Sequence, residues 1–417
     1  MEVWKEYKLK EICRKITDGS HSSPKAQSEG YPMFSVKDML EYSFDYSKCK
    51  HISLEDFLSL KHNDCVPQKG DVLVAKDGSY LKQIFVCKET KEEGILSSIA
   101  IFRPNDIVDS YFLCYLLKSP DVFNYISNNC VSGSALPRIV LKDFKEVTLR
   151  VPSRKTQEGI VSILKSLDDK IEVNKQINEN LEQQAQALFK SWFVDFEPFK
   201  DGEFVESELG MIPKGWRVST IKNVATNITD GVHNTVIDDK NGCFYLLSCK
   251  NIKGGYISLG DKERTINEQT FIKLRKRTKL EKGDILLSSV GTIGEMVLLN
   301  EDLKNIEFQR SVAMIKPDYD IISPYFIYYS LANQKEEIIR SAHGAVQQCL
   351  FISDIANILT ILPPLYVIIK FSDVVKVLVD KKSSNEKENK RLAELRDTLL
   401  PRLMSGELKV NEIEQSI

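Results

Sequence analysis

The chain has 417 residues, enough for two to four domains with cores of their own. Its composition, 42% hydrophobic and 28% charged, excludes both a disordered chain and a membrane-embedded one. Lys and Arg number 57 against 59 Asp and Glu, a net charge of −2, which excludes a protein that holds nucleic acid by bulk charge alone. Nine scattered cysteines, none in a C-x-x-C pair, suggest neither a disulfide framework nor a zinc ribbon and fit a reducing compartment. The N-terminal segment has no signal-like apolar run, and the longest greasy stretch, Ile358–Phe371, is cut by Pro363 and Pro364. A cytoplasmic protein without membrane contact is expected.

In chain order, the first element group runs through KITDGSH (Lys15–His21), KGDVL (Lys69–Leu73), SIAIFRP (Ser98–Pro104) and Tyr111-Phe112. It predicts short strands at Val72–Ala75 and Ile99–Phe102, a helix over Tyr111–Lys118, and a closing apolar strand at Val147–Pro152. The same signals then return. NITDGVH begins at Asn227, an offset of 227 − 15 = 212, and KGDIL at Lys282 and SVAMIKP at Ser311 follow at 213. Strands at Ile285–Leu287 and Val312–Ile315, a helix over Tyr325–Asn333 and a closing strand at Ile358–Pro364 complete the second copy. The expected fold class is α/β (α+β): a small mixed α/β domain occurring twice.

After each copy the apolar period changes. From Ile160 the stripe steps by four and three through Leu164, Leu167, Ile171, Asn174, Asn178, Leu181, Ala185, Leu188 and Trp192, a heptad seam. Adding 211 gives Phe371, Val375, Leu378, Lys382, Asn385, Asn389, Leu392, Arg396, Leu399 and Leu403, a weaker seam with both asparagines kept. Two long helices are therefore expected, and the domains read as 1–152, a spacer helix 153–199, a second domain 200–363 and a distal helix 364–417. Packed antiparallel as a coiled coil, the helices relate the halves by a pseudo-two-fold and return the C-terminus to the first domain. The midpoint of 160–192 lies between Asn174 and Asn178, so Asn385 and Asn389 would face them, fixing register. On that reading, leucine at 174 and 385 raises thermal stability. A helix of about 33 residues spans on the order of 50 Å, more than a turn of DNA.

The duplicated domain-plus-helix plan resembles the DNA-sequence specificity subunit of type I restriction-modification systems. The resemblance also rests on LFKSWFVDFEP (Leu188–Pro198), ELGMIPKGW (Glu208–Trp216), KGDIL with SSVGTIG (Lys282–Gly294) and LLPRLMSGEL (Leu399–Leu408). It implies a non-catalytic subunit with two target recognition domains, each reading one half of an interrupted, asymmetric site in double-stranded DNA. The implied partners are two methyltransferase subunits and restriction motor-nuclease subunits. S-adenosylmethionine, ATP and magnesium would belong to those partners, with no cofactor in this chain. The alternative is a stand-alone duplicated DNA-binding or decoy protein. One departure from the family pattern is Ile368-Ile369, which stands where the first helix has Gln157-Glu158, and it puts symmetric partner recruitment in question.

Specificity requires donors and acceptors on loops that reach base edges, with cations and backbone amides on phosphates. The turn after ITDG supplies Ser20, His21, Ser22 and Lys25 in the first copy and His233, Asn234 and Thr235 in the second; these either touch DNA or buttress the turn. After KGD come Lys76, Ser79, Tyr80, Lys82 and Gln83, matched by Ser288, Ser289 and Thr292. Lys273, Arg275, Lys276 and Arg277 form a candidate phosphate track. Arg138, Gln347 and Gln348 follow glycines and carry side chains suited to guanine or adenine. Trp192, Phe193, Phe196 and Phe199, with Leu399, Leu400, Leu403 and Met404, are either partner docking sites or seals between helix and domain, and Trp192 reads as a seal. LPPLY (Leu362–Tyr366) lacks the amide of an adenine methyltransferase motif, and Asp261 fills the lysine slot of the P-loop-like GYISLGDK. The five histidines form no metal-ligand spacing.

Overall fold

The computed structural model describes residues 4–78, 81–133, 137–260, 263–344 and 348–414. They divide into two compact units: residues up to Asn174 with those from Lys387 onward, and Lys175–Glu386. The end of the chain thus belongs with its beginning.

In the first unit an antiparallel four-stranded sheet runs Cys13–Asp18, Ile99–Pro104, Val72–Ala75, Ile84–Val86. A second, three-stranded sheet places Tyr31–Phe34 between Lys50–Ile52, antiparallel, and Gly94–Ile95, parallel. Strands buried on both faces read as unbroken apolar runs, as VLVA at Val72–Ala75 does. The helix Ser110–Lys118, capped by the Asp109 carboxylate, packs on the first sheet, and Phe112, Leu113 and Leu117 are fully buried there.

The second unit repeats this plan strand for strand. Ala225–Asp230, Val312–Pro317, Ile285–Ser288 and Met296–Leu298 form its four-stranded sheet; Thr265–Ile266, Phe244–Leu247 and Ile306–Phe308 form the other. Even the irregularity in the first strand recurs, between Cys13 and Lys15 and between Ala225 and Asn227. The expected strands and helices are all present: Val72–Ala75 has the expected bounds, five others are longer by one or two residues, and the closing strands of the two domains are shorter, at Thr148–Val151 and Leu359–Leu362.

The two long helices span Arg154–Phe193 and Leu365–Ser405. In the first unit they run antiparallel: Asp168 meets Arg396 at 2.8 Å, and Asn174 donates to Asn389 at 2.9 Å. In the second unit they do so again, with Asn385 donating to Asn178 at 2.8 Å and Phe193 5.1 Å from Phe371. The asparagines thus pair in the expected register. Because the partners are 174 with 389 and 178 with 385, leucine at 174 and 385 would break both pairs rather than remove one, which corrects the stability expectation.

The seam itself departs from a strict heptad. Asp168, Phe189 and Phe193 are buried, whereas Leu167, Leu181, Leu188 and Trp192 are only partly so. Where a helix also packs on its domain, the stripe follows the straight-helix period and widens. The apolar helix ends act as seals: Leu400, Leu403 and Met404 join the first unit's core, while Phe193 packs against Trp216, Phe326 and Phe371 in the second. Gln157 is 1% exposed, accepting from the Asp109 amide at 2.8 Å and donating to the carbonyls of Ile107 and Pro152. It holds the helix to its own domain, and Ile368 in its place is buried as well; Ile369, 49% exposed where the first helix has the exposed Glu158, does change the outer face.

Candidate nucleic-acid interface

Each ITDG turn sits at one end of its four-stranded sheet. The Gly19 amide donates to the Ile99 carbonyl at 3.1 Å and that of Ser20 to Ile95 at 2.8 Å; Gly231 and Val232 bond to Val312 and Phe308 in the same way. A Cβ on Gly19 would lie 2.3 Å from the Ile95 oxygen, and one on Gly231 2.3 Å from that of Phe308, so both turns require glycine. The aspartate before each glycine holds the histidine after it. His21 Nε2 lies 3.2 Å from Asp18 Oδ1, and His233 Nε2 2.6 Å from Asp230 Oδ2. Both rings remain largely exposed, at 78% and 59%. Ser20 donates to the Ser22 carbonyl, while Ser22, Lys25, Asn234 and Thr235 are exposed.

The sheet register brings further candidates to the same end. Asp18 lies opposite Ala100, which lies opposite Val74, so the chain leaves the sheet at Lys76 beside the turn. Lys76 Nζ reaches the second oxygen of Asp18 at 3.2 Å and Asp77 at 3.4 Å. The Lys76 carbonyl accepts from the Ile139 amide, and Arg138 bridges to Asp77; in the second copy the Ser289 carbonyl accepts from the Leu350 amide, and Cys349, next to Gln348, bridges to Val290. Arg138, Gln348, Lys82 and Thr292 are exposed and Gln83 half-buried. Ser79, Tyr80 and Gln347 lie outside the described residues.

Four candidates are turned inward, a correction to the sequence reading. Ser288, the last residue of the strand Ile285–Ser288, is fully buried, with its hydroxyl bonded to the Thr292 carbonyl and the Glu295 amide, and Ser289 just beyond it is 3% exposed. Lys76, 6% exposed, is the counterion of Asp18. In the helix Glu268–Thr278, Arg275 bonds to the fully buried Glu307 and to the carbonyls of Leu303 and Ile306. Burial pushes the Glu307 carboxyl above its ordinary range, and Arg275 opposes that push. Lys273, Lys276 and Arg277 face outward, and Arg277 donates to the carbonyls of Asp230 and Gly231, tying that helix to the turn.

Sequence reasoning missed Lys50 and Arg264. Lys50 Nζ donates to the Pro24 carbonyl and to Ser23 Oγ. Arg264 donates to the Val236 carbonyl at 2.9 Å, to Asp238 at 2.7 Å and to Gln309 at 3.0 Å. Each cation braces the loop that follows the ITDG turn. Aligning the two copies at 212 residues would have revealed the loops, but not their braces, which come from another strand.

Two such domains, each gathering exposed polar loops at one sheet end, define a duplicated recognition protein. The chain belongs to the family described as "Type I restriction modification DNA specificity domain", whose model matches residues 1–183 and again 213–395. It is 30% identical to the type I restriction enzyme MjaIX specificity subunit of Methanocaldococcus jannaschii over 98% of this chain and 94% of that one. It is 28% identical to the HindI specificity subunit of Haemophilus influenzae, over 98% of this chain and all of that one. The fold is shared with the crystal structure of a type I restriction-modification S subunit from M. genitalium, at a TM-score of 0.57, 16% identity and 96% coverage of both chains. Among the described residues no helix is long and apolar enough to cross a membrane.

Proposed function

We propose that this chain is the DNA-reading subunit of a type I restriction-modification complex, recognising an asymmetric bipartite sequence with one half read by each repeat. The observation that carries this reading is one backbone frame built twice with unlike side chains on it: the exposed Arg138 against the half-buried Cys349, and the exposed Ser22 against the exposed Asn234. A shared frame holds both domains to the same duplex geometry, while unlike side chains meet different bases. The exposed Lys273, Lys276 and Arg277 supply phosphate contacts beside the second reader.

The chain acts without a catalytic centre of its own. Methyltransferase subunits carry S-adenosylmethionine, and motor-nuclease subunits carry ATP and magnesium. Partner subunits also supply phosphate-neutralising surface that a chain of net charge −2 lacks. Single-molecule methylome sequencing of the source strain with the gene intact and deleted tests this. Loss of adenine methylation at one interrupted motif is expected; an unchanged methylome would favour a partnerless decoy.

A further inference from the structure

The loops after the two turns match without a gap. Gly19 and Gly231, His21 and His233, and Gln27 and Asp239 are each 212 residues apart. Both loops are anchored alike at the far end, where the Gln27 amide donates to His51 at 2.9 Å and the Asp239 amide to Thr265 at 2.8 Å. Midway, the braces act on equivalent atoms: Lys50 on the Pro24 carbonyl and Arg264 on the Val236 carbonyl. The next residue is Lys25 in one copy and Ile237 in the other.

Ile237 is 85% exposed. Its neighbours prevent it from turning inward. The Val236 side chain packs against the apolar cluster of Leu246, Ile266, Phe271 and Leu274, while the Asp238 carboxylate is held by Arg264. A branched apolar side chain is thus fixed in water. The cluster that anchors it includes the helix whose outer face carries Lys273, Lys276 and Arg277. An exposed apolar tip anchored to a helix with cations on its outer face is suited to a base edge with an apolar group, which in DNA is the thymine methyl. Lys25, exposed at the same place, offers ammonium donors suited to the O6 and N7 acceptors of guanine.

We propose that Lys25 and Ile237 occupy one specificity-determining position of the repeated frame, with Lys25 reading a guanine in one half-site and Ile237 a thymine methyl in the other. This rests on the DNA-reading function proposed above. It is tested in the source strain by Ile237→Lys and Lys25→Ile, with the methylome as readout. Each variant is expected to change one base position in one half-site, a different half for each, leaving the gap and the other half unchanged. Methylation of the wild-type motif to the wild-type extent by both variants, or a change in both halves by either, overturns the assignment. If Ile237→Lys abolishes methylation, recovery with Ile237→Val supports it, and failure to recover overturns it. In duplexes carrying the motif, uracil for the contacted thymine is expected to weaken the intact complex roughly four-fold, the factor for one buried methyl group, and to leave Ile237→Ser unaffected. No such thymine would overturn the apolar half. A methylome unchanged by deleting the gene contradicts the proposed function instead, so the two failures are distinguishable.

Discussion

Asn385 donates its side-chain amide to Oδ1 of Asn178 at 2.8 Å, with both residues buried between antiparallel helix segments of the second unit. A polar pair in an apolar seam fixes register at some cost in stability. Asn385→Leu alone removes the donor to the buried Asn178 Oδ1, leaving the bond from Asn178 to the Lys382 carbonyl, and is expected to destabilise this unit by about 1–3 kcal/mol. Asn178→Leu with Asn385→Leu should return stability to wild type or above. Denaturant melts of the three variants check this; a double variant as weak as the single would mean the pair itself is stabilising.

In the first unit Asp168 accepts from Arg396, from Tyr115 at 2.7 Å and from Tyr42 at 2.9 Å. The Arg396 side chain is 17% exposed and Asp168 9%. Removing one partner of a buried pair typically costs about 3–5 kcal/mol, less where water reaches it. Arg396→Met should therefore lower the stability of the first unit by about 2–3 kcal/mol, with strong non-additivity in a cycle with Asp168→Asn. Additive losses would show that the two act separately.

Glu146 is bridged by Lys10 and Lys8, whose hydrogen bonds hold its carboxyl down at about 2. A depressed carboxylate stabilises the folded form above its unfolded value near 4.5 and loses that contribution as pH falls towards 2. Replacing Lys8 and Lys10 by alanine should flatten the fall in melting temperature across that window. An unchanged slope would place the acid sensitivity elsewhere.

Gly231→Ala places a methyl group against the backbone of Phe308 and Gln309, neither of which can move as a side-chain tip would. The turn must shift, carrying His233 with it. Methylation at the motif should fall by at least ten-fold, a displacement effect in the range seen for misplaced site groups. Full activity would mean the turn has no part in recognition.

Burial pushes the Cys13 thiol up to about 12 and the Cys87 thiol to about 11, whereas Cys243 is exposed. Alkylation of the native chain near pH 8 should label Cys243 first and leave Cys13 and Cys87 intact. Early labelling of Cys13 would show that the first sheet opens.

Much of the architecture is legible in the sequence because duplication repeats every signal. The matched offsets of ITDG, KGD and the apolar strands define the domain, and the asparagines define the register of the helix segments. Direction is what a linear pattern conceals. The run from Lys273 to Arg277 looks uniformly cationic, yet Arg275 turns inward because Glu307, fully buried on a neighbouring strand, requires a counterion. Ser288 reads as a loop polar but ends a strand, and Ser289 beside it is buried too. Gln157, taken for a partner surface, satisfies buried backbone groups instead. The braces Lys50 and Arg264 were invisible for the same reason: the atoms they hold are 26 and 28 residues away in the chain.

The central claim is that each repeat reads one half of a single DNA site. Its most direct test is the methylome of the source strain with this gene intact, deleted, and with the segment 1–152 replaced by that of another family member. The account predicts one interrupted adenine-methylated motif that vanishes on deletion and changes in one half alone on replacement. A motif that survives deletion, or changes in both halves together, would contradict it.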